Sequence, residues 1–282
     1  MVSCEDGYEP TIAKNRCRVK VEGLIAFTIE ATPTEDESST VKLTLNSGCD
    51  GYVDWGDGTA QDVSTSSVSH TYTEGGTYEI KLGASISKFA LSTFTNAKPI
   101  SLQQLNLATV TDMSYAFNGR TTITGSIPEL PPALENGYYA FKGCSGLNGA
   151  FPTKLSDSLV NGEYMFFRCS NLTGNVPELP DTLENGAQMF NGCTNLDGTL
   201  PDKLPENLTI AYRMFYGLSK LTGNVPEFGS KLTNGSEMFY SCSGLTGVAP
   251  TMPSSLTSYT DIFTGTQITN NETTPWPDGA WY

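Results

Sequence analysis

Apolar and polar positions keep two different rhythms along the chain. Between about residues 23 and 98, apolar residues come in short runs such as "LIAFTIEA" and "TVKLTLNS", rich in β-branched and aromatic side chains and partly alternating with polar ones. A period of two predicts strands. The intervening "TPTEDESS" is a polar connection, and Asp57-Gly58 and Gly75-Gly76 mark turns, the first suited to positive φ. Spaced strands with glycine turns predict a small β-sandwich.

From about residue 99 the rhythm lengthens. Phe117, Phe141, Phe166, Phe190, Phe215, Phe239 and Phe263 recur at intervals of 24, 25, 24, 25, 24 and 24. After each of the first six anchors come Ile or Leu at offset 6, Gly at 8 and Pro at 11. The extra residue of the longer units lies before Leu155 and Leu204, 14 residues past their anchors where Leu130 and Leu179 lie 13 past theirs. One such unit cannot bury its apolar side chains alone, but stacked units can, Phe over Phe and Leu over Leu. The pattern predicts a solenoid of about seven 24–25-residue coils. It places short strands near the Leu-Thr-Gly-x-Val segments and a tight or single-turn helical piece at Met-Phe-x-x-Cys. The pairs Asn136-Gly137, Asn161-Gly162, Asn185-Gly186 and Asn234-Gly235 are expected to turn each coil at positive φ.

Four segments follow. Residues 1-22 form a leader in which Cys4 and Cys17 are disulfide candidates, residues 23-98 the sandwich, and residues 99-269 the solenoid. Residues 270-282, with "TTPWPDGAWY", form a cap on the open end or, alternatively, a docking tail. The fold class is mainly β.

Two stretches resemble known families. Trp55-Gly56-Asp57-Gly58-Thr59, His70-Thr71-Tyr72 and Gly76-Thr77-Tyr78 are similar to the signature of polycystic-kidney-disease (PKD) domains. That resemblance implies an immunoglobulin-like sandwich acting as a non-catalytic spacer or presenting module. Ala140-Phe141 with Cys144, Leu147 and Pro152 resembles the BspA-like leucine-rich repeats of bacterial surface proteins, and "VTDMSYAFNG" a related surface-lipoprotein repeat. Together they imply an immunoglobulin-like sandwich followed by a leucine-rich-repeat-type solenoid, a pairing similar to bacterial and phage surface proteins.

Charge narrows the partners. Thirty carboxylates against 16 Lys and Arg give a net charge of −14, which argues against nucleic acid or an anionic membrane as the main partner. No stretch reaches the roughly 18 apolar residues of a membrane span. The first 20 residues carry charges where a secretion signal has an apolar core, so the expected location is extracellular or cell-surface after trimming, or a virion.

Candidate chemistry is sparse. Cys144, Cys169, Cys193 and Cys242 lie three residues after their anchors; a metal ladder or disulfides are weighed against buried packing, and Leu218 at the same offset favours packing. Asp50, Asp54, Asp57 and Asp62 are the candidate calcium ligands, but turn formation explains them better because the loop spacing of a calcium site is missing. His70, the one histidine, would need a nearby nucleophile and an orienting acid to be catalytic, and reads better as a strand-start residue of the "HTY" signature. No catalytic constellation or cofactor motif emerges. The variable columns around the anchors remain: Tyr115, Tyr139 and Tyr164 two before, Tyr138 and Tyr212 three before, and Phe167, Tyr216 and Tyr240 one after. They either anchor a protein or carbohydrate ligand or partly cover the core. The expected function is non-enzymatic adhesion or recognition at a surface, with a phage capsid decoration, head fibre or tail appendage, docked on capsid or tail proteins, as the alternative.

Overall fold

The computed structural model of the chain describes residues 8–10, 17–19 and 23–281. Cys4 and the Cys17 side chain lie outside the described residues, and the expected disulfide with them. Tyr8–Pro10 (β1) pairs antiparallel with Cys17–Val19 (β2). Eight longer strands follow: Ile25–Ala31 (β3), Ser39–Leu45 (β4), Asp50–Asp54 (β5), Ala60–Val63 (β6), Ser67–Tyr72 (β7), Gly76–Ser85 (β8), Phe89–Thr95 (β9) and Ala97–Leu105 (β10). They form two antiparallel sheets, ordered β10-β3-β8-β5-β6 and β7-β4-β9. In β4, Ser39, Val41, Leu43 and Leu45 are buried while the residues between them are not, the alternation expected of a sheet with one apolar face. Phe27 of the first sheet and Phe89 of the second lie 6.3 Å apart, so the sheets share one core.

The expected boundary at 98/99 falls inside β10, which pairs with β3 from Ala97–Ala31 to Leu105–Ile25. Without β10, that edge of β3 would be unpaired. The second sheet then acts as the platform for the first repeat. The Phe89 N–H donates to Asp112 O (3.2 Å) and the Leu91 N–H to Ala116 O (2.9 Å). The Phe89 ring lies 5.9 Å from Phe117, and the buried apolar residues of sheets and repeats form one continuous cluster.

Beyond the junction, like meets like. Successive anchor rings from Phe117 to Phe263 lie 5.2, 5.6, 5.6, 5.7, 5.5 and 6.2 Å apart, with interplanar angles of 19° or less. Parallel one-residue bridges run unbroken through Lys88, Asp112, Asn136, Asn161, Asn185, Ile210, Asn234 and Ser258. Where strands were expected there are bridges such as Ala150–Thr173 and Thr199–Thr222, and Gly223–Asn224 (β11) pairs parallel with Leu245–Thr246 (β12).

The Met-Phe-x-x-Cys segments are consecutive turns and not helices. Their hydrogen bonds explain why. The N–H groups of Met113, Tyr115, Phe117 and Gly119 leave the unit and reach carbonyls of Asn136, Tyr138, Ala140 and Lys142 in the next, at 2.7–2.9 Å. Those of Ala116, Asn118 and Arg120 fold back three residues. A helix would keep all of these bonds to itself; here about half tie neighbours together.

The Asn-Gly pairs also differ from expectation, since none of them adopts positive φ. Each Asn side chain accepts the N–H two residues on, as in Tyr138 N–H to Asn136 Oδ1 at 3.1 Å, an Asx turn. The glycines make room: a Cβ at Gly137 would sit 2.6 Å from Met165 Sδ, and one at Gly162 2.8 Å from Met189.

Asp112 starts both the Asx column and the junction. Its Oδ1 accepts the Ser114 N–H at 2.7 Å, and its Oδ2 meets Lys88 Nζ at 2.9 Å. Partial burial alone would raise the Asp112 pKa, but the bonds from Lys88 and Ser114 outweigh it and hold the carboxyl below the usual aspartate range. Its stabilising contribution is therefore present above the ordinary aspartate value near ~3.9 and lost as pH falls through the lowered folded value. Asp112→Asn keeps the Asx acceptor and removes the charge. It is expected to cost less than about 1 kcal/mol at neutral pH, because the pair is partly solvated. The wild-type advantage over this variant should vanish on acidification, as read by urea midpoints across the acid range.

The far end is closed by the chain itself. Asp261 and Phe263 donate their N–H groups to Gly279 O (2.8 Å) and Ala280 O (2.9 Å), from a 3-10 turn at Asp278–Ala280. Trp276 is buried, its ring 5.1 Å from Phe263 and its Nε1–H on Pro250 O at 2.7 Å.

Candidate functional site

The turn geometry that frees N–H groups for the next unit requires two left-handed residues per unit. One lies two after the anchor. It is Gly119, Gly143, Gly192, Gly217 and Gly265 at φ 72° to 81°, with Arg168 and Ser241 as exceptions at 59° and 58°. The other lies two before the anchor and is never glycine: Tyr115, Tyr139, Tyr164, Gln188, Arg213, Glu237 and Asp261 hold φ between 51° and 60°. A side chain in this region costs on the order of 1 kcal/mol for ordinary residues, and bulky ones are outliers there. The two columns face the same backbone demand and answer it differently. Sequence reasoning assigned positive φ to the Asn-Gly pairs and missed this; the repeated Gly two after the anchor was the available signal for one column.

These strained side chains are brought together with their neighbours. Tyr115, Tyr138, Tyr139, Tyr164 and Phe167 form one chain of ring contacts, with centroids 4.4–5.4 Å apart. Lys142 Nζ sits 4.2 Å above Tyr139 and within 5.5 Å of Tyr164 and Phe167. The Arg168 guanidinium lies 5.0 Å over Phe167. One unit further, Gln188 donates to the Tyr164 hydroxyl. Beyond it Arg213 stacks over Tyr212 and Tyr216 at 5.0 and 5.3 Å, and Tyr216 stacks on Tyr240 at 4.9 Å. Arg213 is clamped by Glu237 through Nε and Nη2 at 3.0 and 2.9 Å. All eight aromatic candidates thus lie on this strip, in two groups divided by the Gln188 unit. Tyr115 is 48% exposed and the other seven are half-buried. They cover the outer side of the stack, partly open to solvent and partly packed on one another and under the three cations.

The cysteine column lies inside. Cys144, Cys169, Cys193 and Cys242 are buried free thiols. Each donates to the carbonyl of the preceding anchor, Phe117, Phe141, Phe166 and Phe215, at 3.0–3.1 Å. Burial pushes the thiols of Cys144, Cys193 and Cys242 up to about 12, and that of Cys169 well above its ordinary value. They stay protonated, whereas metal binding and nucleophilic attack use the thiolate. Among the described residues, no three His, Cys, Asp or Glu side chains gather as a metal-binding group.

The signature residues of the first sheets also converge. His70 sits within β7, not at its start. It stacks on Trp55 (5.0 Å, 16°), and its Nε2 lies 2.7 Å from Asp57 Oδ2. Tyr72 donates its hydroxyl to Trp55 O at 2.9 Å and stacks on Tyr78. Asp57 also accepts the Thr59 N–H and hydroxyl, and Asp54 accepts the Gly56 N–H, so both carboxylates shape the turn. Burial alone would raise the Asp57 pKa; the bonds from Thr59 and His70 bring it below the usual range. Gly56 is required at φ 81°, where a Cβ would also lie 2.6 Å from Glu79 O.

A groove that sequence reasoning did not foresee follows the proline column. Three cavities of about 480, 380 and 450 Å³ adjoin, sharing Thr199, Leu200 and Pro201, then Glu227. The bridges Lys154–Glu178 and Lys203–Glu227 beside it occur where a longer unit precedes a shorter one, so the inserted residue lets the chain reach its neighbour.

Among the described residues no helix is long and apolar enough to cross a membrane. The family model of the BspA type leucine rich repeat region matches in six copies, over residues 69–173, 114–246 and 162–274. No curated protein and no solved structure matches the chain.

Proposed function

We propose that this chain, which belongs to the BspA-type leucine-rich repeat family, is a non-enzymatic recognition or adhesion protein that binds its partner through the aromatic strip. Proteins with these repeats are usually surface-associated and act in recognition or adhesion. The carrying observation is the column two before the anchor. Seven left-handed positions are filled by Tyr, Gln, Arg, Glu and Asp, while the column two after is mostly Gly. Strained residues concentrate where function requires the side chain, and variable side chains at a fixed offset are what a recognition surface needs.

On this reading the stacked units form a leucine-rich-repeat-type solenoid that holds the strip rigid, which lowers the entropy lost on binding. The N-terminal sheets form a PKD-like, immunoglobulin-like sandwich that seats and presents it, supported by the convergence of Trp55, Asp57, His70, Tyr72 and Tyr78. The partner is a protein or carbohydrate at a cell surface.

The test is a binding screen on glycan and cell-surface protein arrays, followed by the triple variant Tyr139→Ala, Tyr164→Ala and Tyr216→Ala. Affinity is expected to fall by roughly tenfold or more with the unfolding transition still cooperative. Undiminished binding by the folded triple variant would remove the strip from the function.

A further inference from the structure

We infer that the strip recognises an anionic carbohydrate, a carboxylated or sulfated sugar held between Lys142 and Arg168 and stacked on the tyrosines around them. This deepens the recognition reading and rests on it. The protein is strongly acidic, with a net charge of −14, yet its strip carries three cations. Arg213 is spent on Glu237. Lys142 and Arg168 are not: among the described residues neither is ion-paired to a carboxylate. Both are held over aromatic rings, Lys142 by Tyr139, Tyr164 and Phe167, and Arg168 by Phe167. Rings fix where the charges sit without neutralising them. The nearby carboxylate of Glu163 is engaged by the Asn185 amide at 3.1 Å.

Arg168 gives the independent argument. It occupies the column where five of seven units use glycine, and it holds φ 59°. Its side chain is exposed. A glycine there would satisfy the backbone, so what the strained residue adds is a guanidinium held over Phe167 at the exposed edge of the strip. A sugar ring offers an apolar face to an aromatic platform, and a guanidinium matches carboxylate or sulfate oxygens in a two-pronged geometry. An acidic peptide would satisfy the charges but not the run of contacting aromatic rings from Tyr115 to Phe167.

The experiment measures binding of the full chain to immobilised heparin, polygalacturonate, uncharged dextran and poly-glutamate, at low and high salt. The wild type is compared with the double variant Lys142→Met and Arg168→Gly, and with the tyrosine triple variant. Met keeps an unbranched side chain over the tyrosines, and the relief of φ 59° by Gly offsets the lost cation–ring contacts, so the double variant should melt close to the wild type. Binding to heparin or polygalacturonate that weakens with salt and falls at least about tenfold in the double variant supports the inference; binding to polygalacturonate shows that carboxylate suffices, and binding to heparin alone points to sulfate. Equal binding by the double variant, equal binding to dextran, or tighter binding to poly-glutamate overturns it. If dextran or an arrayed protein is bound and lost in the tyrosine variant, the anionic ligand falls while recognition stands. If nothing is bound, both fall.

Discussion

Phe190→Ala is expected to destabilise the protein by about 3–5 kcal/mol and to split its unfolding into two steps. Phe190 is fully buried. It is sandwiched between Phe166 and Phe215 at 5.6 and 5.7 Å, with the edge of Phe151 at 5.6 Å. Truncation leaves a cavity bounded by rings that are each held by their own units, so the site cannot collapse. Each unit buries its apolar side chains mainly on its neighbours, so the loss falls on the two interfaces that hold the halves of the stack together. Urea unfolding followed by tyrosine fluorescence and by hydrogen exchange should show residues beyond the cavity opening before those nearer the N-terminal sheets. A loss below about 1 kcal/mol, or a single unperturbed transition, would mean that the rings do not support one another.

Trp276→Ala should have a comparable effect, about 3–5 kcal/mol, confined to the C-terminal units. Trp276 covers Phe263, touches Phe228 at 5.8 Å and Tyr259 at 6.4 Å, and donates to Pro250 O. Removing it uncovers one side of the last ring of the column, the other staying against Trp281, and leaves the Pro250 carbonyl without that donor. An uncapped stack end also offers a template to a second copy. Faster exchange at Phe239 to Phe263, together with concentration-dependent light scattering, is the expected signature. Unchanged exchange there would show that Asp278–Ala280 closes the stack without the tryptophan.

Much of this architecture is legible in the sequence because it depends on spacing. Seven phenylalanines at 24 or 25 residues, with Leu, Gly and Pro at fixed offsets, leave few ways to bury the rings other than in a column. Leu218 in a cysteine column likewise points to packing before any coordinates. What spacing does not carry is backbone direction. The Asn-Gly pairs look like positive-φ turns, yet the Asn acts through its side-chain oxygen and the Gly through the volume it vacates for Met165 or Met189. The segment after Met113 looks helical, but half of its N–H groups are drawn to the next unit, a competition that no local propensity describes. The expected boundary near residue 98 falls inside β10 for a similar reason. β10 is required by the unpaired edge of β3, some seventy residues earlier in the chain.

The candidate site was half legible. The tyrosines stand out by offset, but their strain is invisible in sequence, because nothing about Tyr139 or Tyr164 signals φ near 55°–58°. Lys142 and Arg168 gain meaning only once the rings beneath them are placed.

The most direct test compares two substitutions at the same strained positions: Tyr139→Gly with Tyr164→Gly, against Tyr139→Ala with Tyr164→Ala. Both pairs remove the rings, but only glycine removes the strain. The account predicts that both lose ligand binding and that the glycine pair is the more stable by about 1 kcal/mol per site. Alanine variants as stable as the glycine ones, or binding that survives in either pair, would contradict it.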